Sequence, residues 1–316
     1  MSAERTSEFE VIALERLWFY VNVPDARSSF LQHLDKIDAL VPFWFGVTQE
    51  GGLLDQSAPD VERTAKENDV PIIAIVHNYS DPQLGAIIHD LLVDATLRRR
   101  LVDSIEVVLA SRSFAGVNID FEFVPPADRP YLNAFMRELY SRLAPWFLVT
   151  ISAPAKLSDD PQHPFSGAFS YAALGQYSHQ VFILAYDEHF TVPGPIASIG
   201  FVRRVLDFAL TEIPREKIKL GMAVYGYDWQ EEGGFPETLS HAEAVARARR
   251  YGVPIIYDEQ AQESTYTYTA DGTRHIVWFE DARSFAVKLG LIRTLGLPGF
   301  AAWRLGQEDA RIWGLI

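Results

Sequence analysis

The chain has 316 residues, of which 48% are hydrophobic and 22% charged, the make-up of a soluble protein with a large core. Its formal net charge of −14 argues against a nucleic-acid backbone or an anionic membrane as the main partner. It has no cysteine, so disulfides, thiolate catalysis and cysteine zinc sites are excluded.

Residues 1–15 read as an N-terminal tail, and its opening lacks the cationic start and apolar run of a signal peptide. No uncharged apolar stretch approaches the roughly 20 residues of a membrane span. From Arg16 onward, apolar strand-like runs alternate with amphipathic segments, the pattern of a parallel α/β sheet. Strands are predicted over 16–23, 39–47, 71–78, 116–124, 147–153, 180–187, 218–225 and 299–303. Between them, Leu97, Leu101, Ile105 and Val108 recur at helical spacing, as do Leu132, Phe135, Met136, Leu139 and Leu143. Asp128 is a candidate cap for the second of these helices, and Pro130 is tolerated in its first turn. Phe285, Leu289 and Ile292 mark a third helix, opened by Asp281 and closed by Gly296.

Eight strands with intervening helices predict an α/β fold, a (β/α)8 TIM barrel over 16–316, whose usual size is about 250 residues. The surplus falls between strand seven and the helix that follows it, at about 230–280. There a short helix over 241–250, a strand over 251–257 and a hairpin pairing 265–269 with 274–279 across Asp271-Gly272 predict a small α+β insertion on the active-site rim.

The stretch 114–124 on the fourth strand carries a conflict. Side chains alternate along a strand, so Val117, Ile119, Phe121 and Phe123 share an apolar face while Asn118, Asp120 and Glu122 share the other. Buried charges need partners, so the second face must look into a polar, partly wet cavity. Reacting groups of such barrels sit at the C-terminal ends of strands. There the sequence places Glu122 and Asp120, His77-Asn78-Tyr79, Tyr186-Asp187, Tyr225 and Tyr227, and Trp303 followed by Arg304. Aromatic faces with a few directed polar groups suit a sugar ring. A structural charge network, core roles for Trp303 and the tyrosines, or a Mg²⁺ or Mn²⁺ site are the competing readings. No further carboxylate or His cluster has ligand spacing, so no metal and no cofactor is expected.

Gly116-Val-Asn118-Ile-Asp120-Phe-Glu122 resembles the strand-four signature D-x-x-D-x-D-x-E of glycoside hydrolase family 18. The resemblance extends to Ala185-Tyr186-Asp187, to 221–229, to the insertion and to the run from Gly299 through Trp303. His275-Ile-Val-Trp278 is similar to a run in the branch of spore-germination and spore-cortex N-acetylglucosaminidases. Position by position, the resemblance implies Glu122 as general acid, Asp120 as the carboxylate that orients the substrate's acetamido group, and Tyr186 as the phenol that hydrogen-bonds that group's oxygen. It also implies Asp187 as a substrate hydrogen-bonder and Trp303 as the indole floor. Asn118, Tyr225 and Asn78 complete the expected substrate contacts.

The implied activity is retaining, substrate-assisted hydrolysis of β-1,4-linked N-acetylglucosamine polymers, with spore-cortex peptidoglycan preferred and a spore-associated or extracytoplasmic location. A chitinase or chitooligosaccharide hydrolase, and a catalytically inactive carbohydrate-binding barrel, are the alternatives. The expected partner is a polysaccharide or oligosaccharide, with no nucleic acid and no membrane. Two positions depart from the signature: Ala115 and Asn118 stand where the family has Asp. Without a second Asp to share a proton, Asp120 is expected to stay anionic and to take a hydrogen bond from the Asn118 amide.

Overall fold

Alternation along each strand sorts the barrel residues into an inner and an outer set. A computed structural model describes residues 14–79 and 84–316, so nearly all of the expected tail lies outside the described residues. The barrel strands are β1 (Arg16–Tyr20), β2 (Ala39–Val47), β3 (Ile73–His77), β4 (Gly116–Asp120), β5 (Leu148–Pro154), β6 (Gln180–Leu184), β7 (Ile218–Ala223) and β8 (Phe300–Trp303). Each runs parallel to the next, and β8 pairs with β1 to close the barrel. The eight-stranded α/β barrel is therefore the observed fold.

Outward residues such as Val117, Ile119, Val149 and Ile151 pack under helices, against Leu132, Phe135, Met136 and Leu139. Inward residues Leu17, Phe19, Val41, Ile73, Ile75, Leu148, Phe182 and Ala301 form a separate apolar plug. The helices behave as their sequences predict at most points. Ala282–Leu295 begins with a capping box between Asp281 and Ser284 and ends at Gly296 with a φ of 63°. Asp128 differs: it is buried and accepts from His89 Nδ1 at 2.8 Å, so it does not cap Arg129–Leu143. A short strand, Leu53–Asp55, adds antiparallel to β2 and had no clear sequence signal.

Several strands stop earlier than their apolar runs. The β4–β5 ladder ends at Ile119, which frees the chain to turn, and Phe123 takes a left-handed φ of 54°. Its ring is 49% exposed and does not join the apolar face on which it was expected. Asp187 turns in the same way past β6, with a φ of 55°.

The insertion also starts earlier than expected. Tyr225–Gln230 is not a continuation of β7 but a strand of a second, five-stranded antiparallel sheet with Glu237–Ser240, Thr273–Phe279, Glu263–Ala270 and Ile256–Asp258. Helix His241–Tyr251 covers this sheet through Ala244 and Ala248, which pack on Tyr266, Tyr268 and Val277. The strand expected over 251–257 is mostly absent, because Gly252 ends the helix in the left-handed region and pairing begins only at Ile256. The hairpin forms as predicted, with φ of 50° at Asp271 and 81° at Gly272 and Ala270 opposite Thr273.

Candidate active site

Asp120 is the last residue of β4 and lies in register with His77 of β3. Glu122 stands two residues on, past the ladder, and needs another means of support. Asn78 supplies it. The Glu122 N–H donates to Asn78 Oδ1 at 2.8 Å, and Asn78 Nδ2 donates to the Glu122 carbonyl at 2.8 Å. The side-chain amide thus imitates a neighbouring strand and extends β3–β4 pairing beyond the last backbone rung. Asn78 was expected against the substrate; it is fully buried and positions Glu122.

The Tyr79 phenol hydrogen-bonds the Glu122 carboxyl. Tyr79 is set in turn by His77, whose Nδ1 accepts from the Tyr79 N–H at 3.2 Å. That geometry requires a neutral imidazole. Burial pushes His77 down to about 4, and its ring stacks on Phe43 at 3.7 Å.

The two carboxyls are both raised, by different sums. Burial first pushes Asp120 up to about 6, with the neighbouring Ser152 hydroxyl acting the other way. Burial, then the charge of Asp120, push Glu122 up to about 8, against the Tyr79 hydrogen bond and with a further push from Asp187. Of the two, Glu122 holds its proton the more strongly, because the charge of Asp120 adds to its burial.

Asn118 does not donate to Asp120. Its Nδ2 donates to Thr150 Oγ1 at 3.0 Å, and its Oδ1 accepts from Ser152 Oγ at 2.8 Å. Asn118 is opposite Thr150 in the β4–β5 register, so its nearest partners lie across the ladder, one pleat below Asp120. Ser152 is the residue that meets both Asn118 and Asp120.

Tyr186 and Asp187 leave β6 toward the same mouth. Burial raises the Tyr186 phenol well above its ordinary value, and the charges of Asp120, Asp187 and Glu122 add to this, which places the hydroxyl among three carboxyls. Asp187 Oδ1 accepts from the Tyr225 hydroxyl at 2.5 Å and the Tyr227 hydroxyl at 2.8 Å. The two tyrosines reach one oxygen because they are two residues apart on one face of a strand. Burial raises Asp187 against these two hydrogen bonds. Trp303 ends β8 half-buried, touching the barrel plug through Phe19 at 5.4 Å and the insertion's aromatic cluster on its other side.

The fold therefore gathers Glu122, Asp120, Tyr186, Asp187, Tyr225 and Trp303 at one mouth. Asn118 and Asn78 lie beneath it as supports. Sequence reasoning placed Tyr79 at the mouth without giving it a role and left out Ser152, which shares the inward alternation of Thr150. Among the described residues no three His, Asp or Glu side chains converge as metal ligands.

The family model of the glycosyl hydrolases family 18 matches residues 20–308. A cortical fragment-lytic enzyme of Bacillus subtilis (strain 168) is 33% identical over 87% of this chain and 66% of its own length. One from Bacillus anthracis is 30% identical over 94% of this chain and 70% of its own. This chain thus spans about two thirds of these relatives. Among solved structures, the spore cortex-lytic enzyme SleL of Bacillus megaterium QM B1551 superposes with a TM-score of 0.87 at 30% identity, covering 95% of this chain and 72% of that one. A chitinase from Chromobacterium violaceum ATCC 12472 gives 0.89 at 28% identity, covering 95% of this chain and 97% of that one.

Proposed function

Since the chain belongs to the glycosyl hydrolases of family 18, we propose that it is a retaining hydrolase of β-1,4-linked N-acetylglucosamine polymers, with spore-cortex peptidoglycan as its preferred substrate. The observation that carries the reading is geometric: Asp120 ends β4, Glu122 stands two residues on with its main chain held by Asn78, and Tyr186, Asp187 and Trp303 gather at the same mouth.

In this reading Glu122 gives its proton to the glycosidic oxygen as the bond from that oxygen to C1 breaks. The carbonyl oxygen of the substrate's own 2-acetamido group attacks C1 and forms an oxazolinium ion, so the protein needs no carboxylate nucleophile. Asp120, ionised, accepts from the acetamido N–H and balances the positive charge that develops. The Tyr186 hydroxyl aims the acetamido oxygen, Asp187 takes a sugar hydroxyl, and Trp303 stacks on the ring's C–H face. Glu122, now a carboxylate, removes a proton from the water that attacks C1, and the acetamido group is regenerated.

The names of the Bacillus relatives support cortex as substrate and a spore-associated place; the extracytoplasmic location is part of the same proposal. A second reading, chitin hydrolysis, is favoured by the match to nearly the whole length of the Chromobacterium violaceum chitinase. Product analysis after incubation with cortex fragments and with chitin oligomers separates the two. Glu122→Gln is expected to lower turnover about 10²–10⁴-fold while leaving sugar binding largely in place. Undiminished turnover by that variant would sink the assignment, and failure of the wild-type protein to cut either substrate favours a binding-only barrel.

A further inference from the structure

Ile196 lies in the loop that follows Asp187, and its side chain is fully buried. With Tyr225, Tyr227 and Trp229 it forms one cluster, against which Tyr186 and Trp303 pack. Whatever fixes Ile196 therefore bears directly on the candidate site.

Glu263 fixes it. This glutamate opens strand Glu263–Ala270 of the insertion and has no exposed surface. Its two oxygens accept from consecutive main-chain N–H groups, those of Ile196 at 2.8 Å and Ala197 at 2.7 Å. Two adjacent donors need an acceptor on both arms, and an amide would turn its own NH2 against one of them. The held stretch closes back on the residue next to Asp187. The Glu188 N–H donates to the Ile196 carbonyl at 2.9 Å, and the Ser198 N–H donates to Glu188 Oε2 at 2.9 Å. Asp187 itself has a φ of 55°, a left-handed conformation that a residue other than glycine keeps where its surroundings impose it. Pairing with Lys288 does not account for this arrangement, since Lys288 Nζ lies 3.6 Å from Glu263 and makes its short bond, 2.6 Å, to Glu280.

We propose that Glu263 is a positioning residue for the hydrolysis: by holding Ile196 and Ala197 it sets Tyr186 and Asp187 against the sugar, and so makes the insertion part of the active site's frame. The inference rests on the glycosidase reading above.

The test compares the wild-type protein with Glu263→Gln on a soluble N-acetylglucosamine oligomer, reading kcat, KM and the pH profile of kcat/KM. Lys288 keeps Glu280 as its partner in the variant, so the fold is expected to survive. We expect kcat to fall about tenfold with KM little changed, because a small displacement at the reacting sugar costs rate more than binding. The alkaline limb should move to lower pH. Beside Asp120 and Tyr79, the charge of Asp187 helps to keep Glu122 protonated, and that help weakens as Asp187 recedes. The acid limb should stay, since burial and Ser152 set Asp120. An unchanged kcat, or a fall in kcat with both limbs in place, overturns the proposal. Should Glu263→Gln not fold, Glu263→Asp, which keeps the charge but is one methylene short, is measured with the same expectations. If the wild-type protein cuts no oligomer, the glycosidase reading fails by itself, and hydrogen exchange decides the positioning. Faster exchange concentrated in 186–198 of the variant supports it; equal exchange, or exchange faster throughout the chain, overturns it.

Discussion

Glu122 and Asp120 lie two residues apart, yet their surroundings set them for opposite protonation states. Asp120 meets Ser152, whereas Glu122 feels the negative charges of Asp120 and Asp187 with one phenol, Tyr79, to offset them. The sign of the pH dependence follows from their jobs. Asp120 must be ionised, so activity rises as pH climbs through about 6; Glu122 must be protonated, so activity falls as pH passes about 8. We expect a bell-shaped kcat/KM profile with its plateau between these limits, measured on a soluble oligomer. In Glu122→Gln the alkaline limb should vanish from whatever residual rate remains. A profile flat across this range would contradict the assignment of the pair. The same residues show why backbone geometry matters: Asn78 holds Glu122 by its main chain, so the acid's position does not depend on its own side-chain contacts.

At the scale of elements, the insertion is fastened to the barrel by buried charge. Glu263 on strand Glu263–Ala270, Glu280 just past the hairpin, and Lys288 on helix Ala282–Leu295 are all buried. Lys288 Nζ donates to Glu280 Oε1 at 2.6 Å and lies 3.6 Å from Glu263. Burial, then the charge of Glu280, push Glu263 up, against the attraction of Lys288 and the two N–H groups that it accepts from. Burial works to lower Lys288, but the two carboxylates outweigh it and raise the ammonium. One cation shared by two buried carboxyls is a cluster that fails badly when broken. Lys288→Met is therefore expected to cost about 3–5 kcal/mol and to lower the melting temperature clearly in thermal unfolding. An unchanged melting curve would show that this cluster does not secure the insertion. Because Glu263 also accepts from the Ile196 and Ala197 N–H groups, the damage should reach the loop that follows Asp187 as well as the core.

At the scale of the whole molecule, the chain carries a net charge of −14, and its mouth holds the carboxyls of Asp120, Glu122 and Asp187. A neutral chitin oligomer meets no long-range force from this field, whereas peptidoglycan fragments bearing carboxylates are repelled. Salt shortens that repulsion to about 8 Å at physiological strength. Raising ionic strength from low values is thus expected to lower KM for carboxylate-bearing fragments and to leave KM for chitin oligomers nearly constant. The same salt response for both substrates would remove the electrostatic argument and leave only the cleft's shape to set preference.

The sequence by itself determined whatever depends on neighbours within a few residues. Strand alternation and helical spacing produced the barrel, Asp281 and Gly296 bounded a helix, Asp271-Gly272 made a hairpin, and the polar face of β4 announced Asp120 and Glu122. Only the tertiary structure decided what depends on partners far along the chain. Asn78 meets Glu122 across 44 residues, Asn118 turns to Thr150 across 32, and Asp187 collects Tyr225 and Tyr227 from a second sheet. Strand ends belong to the same class, since β4 stops at Asp120, where its ladder with β3 stops, and not where its apolar run does. Protonation states follow suit, because burial and remote charge set them and neither is a local property of sequence. The two carboxyls proposed as acid and brace were legible in one strand; their surroundings came from Asn78, Tyr79, Ser152 and Asp187, none of them near in sequence.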